Sequence, residues 1–147
     1  MTDYELLKKA YELACIAHKD QKDKAGKDYI SHPILVALQC ETTKEKIAAL
    51  LHDAIEDSDG KVTIEMFKEY FSDEIIEAIK QLTHDDKDAY FEYLKKMTSP
   101  IALRVKLADL TMNMDLSRIA NVTKQDLIRT ERYKKAKEFV LNKLKSI

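Results

Sequence analysis

The sequence predicts an all-α fold: one compact helical domain over residues 1–147. Three observations carry this. The chain holds only 2 Gly and 2 Pro, and Ala, Leu, Ile, Lys and Glu dominate, a composition that favours helix throughout. Apolar residues recur at helical spacing in segment after segment. Thr, Ser and Pro stand where helices would begin. The length is that of a single domain able to bury a real core.

Taken in order, Tyr4 to about Lys19 places Leu6, Leu7, Ala10, Tyr11, Leu13, Ala14 and Ala17 on one face, an amphipathic helix closed by His18. Asp20 to Asp28 is the most polar loop, with Gly26 as its turn and three lysines that could hold phosphate. It ends at Tyr29-Ile-Ser-His-Pro33, and proline at a first helical position puts His32 at or beside the N-cap of the next helix, which runs to about Cys40. Thr42 or Thr43 caps a central helix through Ile47–Asp57, ended by Asp59-Gly60. Thr63 caps Ile64–Phe71, and Ser72 caps Asp73–Leu82 with acidic residues in its first turn. His84-Asp85-Asp86 reads as a connector with His84 at the surface. Asp88–Met97 is a short helix packing through Tyr90, Phe91 and Leu94. Ser99-Pro100 opens a helix running from Ile101 through Met114. Thr123-Lys-Gln-Asp126 is a capping box for a last helix to about Lys145, whose lysine-rich second half reads as a solvated face.

Charge and composition exclude several classes of function. With 25 basic against 26 acidic residues the net charge is −1, so no polyanion-binding footprint exists and no nucleic-acid partner is expected. No run of ~18 apolar residues occurs and the N-terminus lacks an apolar signal region, so no membrane partner is expected and a cytoplasmic protein is. Cys15 and Cys40 form neither a CxxC motif nor a disulfide framework, and read as small buried hydrophobes in a reducing compartment.

Two stretches break the apolar rule. In Ile47–Asp57 nearly every residue other than His52, Asp53, Glu56 and Asp57 is apolar. At ~100° per residue Glu56 shares a face with His52, and Asp57 with Asp53. Ionisable groups on a buried helix cost several kcal/mol each unless something pairs with them. Asp109 poses the same problem deep in its own apolar helix, where Arg104 or Arg118 could pair with it. One divalent cation would relieve both. Collecting His32, His52, Asp53 and Asp109 gives mixed imidazole and carboxylate ligation suited to Mn²⁺, Fe²⁺ or Zn²⁺. No thiolate is in the set, which argues against a closed structural zinc site. Glu56 and Asp57 remain beside such an ion to orient or deprotonate a water, so hydrolysis of a phosphate ester or anhydride is the natural chemistry.

Four blocks carry a specific resemblance: Ala17-His-Lys-Asp-Gln21, Tyr29-Ile-Ser-His-Pro33, Ala48-Ala-Leu-Leu-His-Asp-Ala-Ile-Glu-Asp57 and Val105-Lys-Leu-Ala-Asp-Leu-Thr-Met-Asn113. In order and spacing the chain resembles HD-domain metal-dependent phosphohydrolases, and within them the RelA/SpoT hydrolase domain and the small single-domain alarmone hydrolases. The resemblance implies an HD-domain helical bundle with the metal site between helices, using Mn²⁺ to remove the 3′-pyrophosphate of guanosine tetra- or pentaphosphate. It implies metal ligation by His32, His52, Asp53 and Asp109, and water activation by Glu56 and Asp57. Asn113 would face the nucleotide, with Arg129 and Tyr133 one turn apart on the last helix. Where the family loop carries an Arg-Lys pair this chain has Asp23-Lys24, so Lys24 joins the substrate-binding set while Asp23 would repel an anion. The family's Pro before the Tyr is Asp28 here. A nucleotidase of the same type acting on other nucleotides, and a metal-binding regulatory module without turnover, are the alternative readings; a homodimer is left open.

Overall fold

The computed structural model describes residues 1–84, 89–117 and 119–147. Among these residues nine helical segments follow one another, and β pairing is limited to an isolated bridge between Lys22 and Asp28. They are α1 (Asp3–Ala17), α2 (Ser31–Leu38), α3 (Thr43–Leu51), α4 (Ala54–Asp57), α5 (Ile64–Lys68), α6 (Asp73–Leu82), α7 (Tyr90–Lys96), α8 (Pro100–Asn113) and α9 (Lys124–Lys145). The all-α expectation holds. No helix among the described residues is long and apolar enough to cross a membrane.

α3 is the pivot. Ile47, Ala48, Ala49, Leu50 and Leu51 are all buried, so the second half of the helix is covered on every side, and α3 packs against α1, α2, α6 and α8. α8 is the second inner helix, held between α9 on one flank and α2, α3 and α6 on the others. Fully buried side chains such as Leu51, Phe67, Leu103 and Leu110 each contribute about 1.5–3 kcal/mol relative to exposure. Helix starts follow the sequence. Thr42 accepts from Glu45 N, Thr63 from Met66 N and Ser99 from Ala102 N, while Thr123 and Asp126 form the expected capping box. Asp59 and Gly60 both turn through positive φ (58° and 84°), which ends the α3–α4 region where that pair predicts a stop.

Several boundaries differ for local reasons. α1 ends at Ala17, with His18 as its C-cap. Pro33 is the third residue of α2, not the first, so His32 lies inside the first turn, and α2 stops at Leu38. α5 ends at Lys68, short of Phe71, and α7 begins at Tyr90. The continuous helix expected through Ile47–Asp57 is broken: α3 stops at Leu51, His52 is its C-cap, and Asp53 sits at φ −107°, ψ −2° before α4 restarts. Asp85, Asp86 and Asp88 of the expected connector and helix, and Arg118, lie outside the described residues. Both cysteines are free; Cys40 is buried, but Cys15 is only half-buried.

The lysine-rich end of α9 is not wholly a solvated face. Lys143 reaches across to the C-terminus of α7 and donates to the carbonyls of Leu94, Lys95 and Met97 at 3.0, 2.6 and 2.6 Å. It thereby caps the end of α7, sharing the Leu94 carbonyl with the backbone N–H of Met97.

Candidate metal centre

The break at His52-Asp53 aims the site. His52 Nδ1 donates to the carbonyl of Ala49, one turn back, at 2.5 Å. That bond fixes the ring, so Nε2 is the nitrogen turned to the interior. Asp53, swung out of the helical path, brings Oδ2 to 3.1 Å from His52 Nε2. From α8, Asp109 places Oδ1 at 3.3 Å from the same nitrogen. His32, in the first turn of α2, brings its Nε2 to 2.8 Å from Asp109 Oδ1. α2, the C-terminal end of α3 and the distant α8 therefore converge on a single point.

The donor set fits a divalent cation. Ligand atoms from His32, His52 and Asp109 all lie within 4.8 Å of one another. His52 is only 2 % exposed, and its Nε2 has no partner in hydrogen-bond geometry although two carboxylate oxygens face it. An orphaned buried nitrogen among carboxylates is a cost that a shared cation removes. Two imidazoles and two carboxylates with no thiolate would suit an ion of intermediate hardness.

The surroundings hold these groups in their charged forms. Burial opposes the His52 charge, yet Asp53 and Asp109 raise it well above its ordinary value. Burial alone would raise Asp53, but the His52 ring lowers it to about 2. Asp109 is likewise held well below the carboxylate range, against burial, by Lys106 and His52. Tyr29 donates to Asp53 Oδ2 at 2.5 Å, with burial and Asp53 raising its own phenol.

Sequence reasoning passed over Tyr29 and Lys106, which hold the carboxylates of this site, and Gln21, which braces α4 behind it. Lys106 donates to Asp109 Oδ2 at 3.1 Å, taking the pairing role expected of Arg104 or Arg118. Arg104 instead faces Glu45, at 3.7 Å. Lys106 stands three residues before Asp109, a helical spacing that could have flagged it. Gln21 ties the end of α1 to α4, its Nε2 donating to the carbonyls of Ala17 and Asp57 at 3.2 and 2.6 Å while Oε1 accepts from His18 Nδ1 at 2.9 Å. His18 is thus a buried tether.

A cavity of about 560 Å³ opens onto His32, Asp53 and Asp109 and is also lined by Lys24, Asn113, Arg129 and Tyr133. All four expected substrate contacts therefore share the space with three of the four expected ligands. Asn113 donates to Asp109 Oδ1 at 3.3 Å, and Arg129 lies 3.4 Å from Asp126. Glu56 and Asp57 follow on α4, outside the lining of this cavity. Burial and the nearby Asp53 raise both carboxyls, while the backbone N–H of His84 donates to Glu56 Oε1 and partly offsets the rise at Glu56. His84 is accordingly half-buried, not a surface residue, with its ring 4.6 Å from that of Tyr93. Tyr90, expected to serve only as core, also lines the cavity.

Comparison with known proteins agrees with this architecture. An HD domain family model matches residues 10–134. The guanosine-3′,5′-bis(diphosphate) 3′-pyrophosphohydrolase of Aquifex aeolicus is 34% identical over 91% of this chain and 20% of its own length. The Vibrio cholerae protein of the same name is 36% identical over 75% of the chain and 18% of its length. The bifunctional (p)ppGpp synthase/hydrolase SpoT of Escherichia coli K12 is 34% identical over 74% and 17%. The chain spans about a fifth of the length of these curated relatives. A solved structure described as "A metazoan ortholog of SpoT hydrolyzes ppGpp and plays a role in starvation responses" shares the fold, with a TM-score of 0.72, 22% identity, and coverage of 95% of this chain and 85% of that one. With its histidines and aspartates gathered from α2, the α3–α4 break and α8, this chain belongs to the HD domain family.

Proposed function

We propose that this chain, as one domain, is a metal-dependent hydrolase that removes the 3′-pyrophosphate of guanosine tetra- or pentaphosphate. The observation that carries the reading is the meeting of His32, Asp53 and Asp109, with the buried His52 behind them, at a cavity that is also lined by Lys24, Asn113, Arg129 and Tyr133. Relatives named for that activity support the choice of substrate.

His32, His52, Asp53 and Asp109 would hold the cation, with Mn²⁺ as the ion we favour. When bound it supplies Lewis-acid chemistry, neutralising charge on a phosphoryl oxygen and acidifying water. The chain's own residues do the rest. Tyr29 and Lys106 fix the carboxylates of Asp53 and Asp109. Lys24 and Arg129 bring cations to the outer wall, and Tyr133 offers an aromatic face beside Arg129. Glu56, held by the His84 backbone and with its carboxyl raised, is suited to take the proton of the attacking water, and Asp57 to orient that water. Water attacks the phosphorus attached to the ribose 3′ oxygen, the bond between them breaks, pyrophosphate departs and the 3′ oxygen takes up a proton. The setting we envisage is cytoplasmic, with a small-molecule nucleotide as partner.

Incubating the purified protein and Mn²⁺ with ppGpp and with a panel of nucleoside mono- and polyphosphates tests this directly. Pyrophosphate released from ppGpp, and not from the panel, is the expected result. Inorganic phosphate released from other nucleotides would favour a general nucleotidase, a second reading supported by the acidic Asp23 among the residues that line the cavity.

A further inference from the structure

We infer that Lys106 grips the diphosphate group that is transferred to water, making it a catalytic residue of this site. The inference rests on the phosphohydrolase reading and adds to it a residue and a ligand chemistry.

Lys106 is an expensive residue to place here. Its side chain is 12 % exposed, and burying an ammonium costs several kcal/mol unless it is compensated. Its stem runs past Tyr90 and Tyr93, with Nζ 5.5 and 5.4 Å from the two ring centroids, and the residue opens onto the cavity beside His32, Asp53 and Asp109. Asp109 alone does not account for it. That carboxylate already has His32 at 2.8 Å, His52 at 3.3 Å and Asn113 at 3.3 Å. A fixed positive charge beside a cation site also opposes cation binding, so a chain selected only to hold the metal would be better served by a neutral donor. The arrangement becomes favourable once an anion sits between the two cations.

Position separates Lys106 from the other lysines of the cavity. Lys22 and Lys24 rise from the α1–α2 loop with side chains 61 % and 62 % exposed, and Lys22 is already paired with Asp28. Those are outer charges, screened by water. Lys106 is the inner one, where low dielectric strengthens its pull. Asp109 Oδ2 takes one of its three N–H groups, and an ammonium on a flexible stem can turn another toward a phosphoryl oxygen.

The test uses the full chain loaded with Mn²⁺ and inorganic pyrophosphate as the probe, with binding read by calorimetry and metal content by elemental analysis. Wild type should bind pyrophosphate. Lys106→Met, which keeps the apolar stem, should keep its metal and bind pyrophosphate about 10- to 100-fold more weakly. Lys106→Arg, which keeps the charge, should recover most of that affinity. Unchanged pyrophosphate affinity in a folded, metal-loaded Lys106→Met protein would overturn the inference, as would a wild type that does not bind the probe. Should the methionine variant not fold, acetylation of wild-type Lys106 followed by peptide mass spectrometry decides. Protection by pyrophosphate supports the grip and equal labelling refutes it. Failure of the broader reading looks different: Lys106-dependent pyrophosphate binding in a protein that cleaves no nucleotide would discard the hydrolase assignment and keep the anion site.

Discussion

Tyr29 donates its hydroxyl proton to Asp53 Oδ2 at 2.5 Å, the same oxygen that stands 3.1 Å from His52 Nε2. A residue of the α1–α2 turn thus sets the direction in which the carboxylate at the N-cap of α4 faces. Tyr29→Phe removes only that donor. Asp53 then keeps the His52 ring but loses its hydroxyl donor, which costs about 1–3 kcal/mol, and a less firmly held carboxylate weakens metal binding roughly 10- to 100-fold. Denaturant unfolding and equilibrium dialysis against Mn²⁺ measure the two effects. A variant that loses stability but keeps its metal affinity would mean Asp53 is held by the fold alone.

Removing Asp109 should do more. Asp109→Ala takes away the group that answers His32, His52, Asn113 and Lys106 together. It leaves Lys106 as a buried cation without its carboxylate, a change on the order of 3–5 kcal/mol. We expect a protein with a clearly lower melting temperature, no bound metal and no activity. Stoichiometric metal in the purified variant would remove Asp109 from the ligand set.

Glu56→Gln separates binding from chemistry. Glutamine keeps an oxygen to accept from the His84 backbone but cannot take a proton. The expected outcome is full metal occupancy with kcat reduced roughly 10²-fold or more. A drop confined to KM would make Glu56 a binding residue.

The helices, their caps and the four side chains that meet between them, His32, His52, Asp53 and Asp109, were legible in the sequence because each leaves a local signature: periodicity, a Thr or Ser before a helical run, or a charge or imidazole in an apolar stretch. The Thr123–Asp126 capping box is such a case. What could not be read depends on neighbours distant in sequence. The His52-Asp53 break has no Gly or Pro to announce it; it is set by the ring bonding back to Ala49 and by Asp53 reaching Tyr29. Beyond its three-residue spacing from Asp109, nothing local sets Lys106 apart from the chain's other lysines; Tyr90 and Tyr93 close around it only in the fold. His18 looked like an ordinary helix end because its partner, Gln21, gains meaning only through the distant carbonyl of Asp57.

Without a cation the site should leave a signature in the pH dependence of stability. His52 is raised well above its ordinary value, with Asp53 and Asp109 overcoming the opposing effect of burial. Its contribution is then fully present below about pH 6.5, the unfolded value, and is lost as pH climbs through the folded value. Asp53 behaves oppositely. Held near 2 by His52 against burial, it contributes above about pH 4 and loses that contribution as pH falls toward its folded value. Melting temperatures of chelator-treated protein should therefore plateau between roughly pH 4 and 6.5 and decline on either side. Saturating metal takes the place of the His52 proton, so it should flatten the alkaline decline and release protons on binding. An alkaline decline of the same size with and without metal would show that His52 does not bind the ion.

The loop between α1 and α2 gives the sharpest contrast between charge and geometry. By charge alone Asp23 repels an anion. Yet its Oδ1 accepts from the backbone N–H groups of Ala25 and Lys27, both at 2.9 Å, and its own N–H donates to the Lys27 carbonyl at 2.8 Å. With Gly26 at positive φ and Lys22 paired to Asp28, these bonds shape the turn that presents Lys24 to the cavity. Asp23→Ala should loosen that turn and raise KM for the nucleotide roughly three- to tenfold, with kcat little changed. Asp23→Asn keeps the accepting oxygen and drops the charge, so its KM should equal or fall below that of the wild type. Steady-state kinetics on both variants separates the two effects. If alanine lowers KM as far as asparagine does, repulsion governs this loop and its hydrogen bonds do not position Lys24.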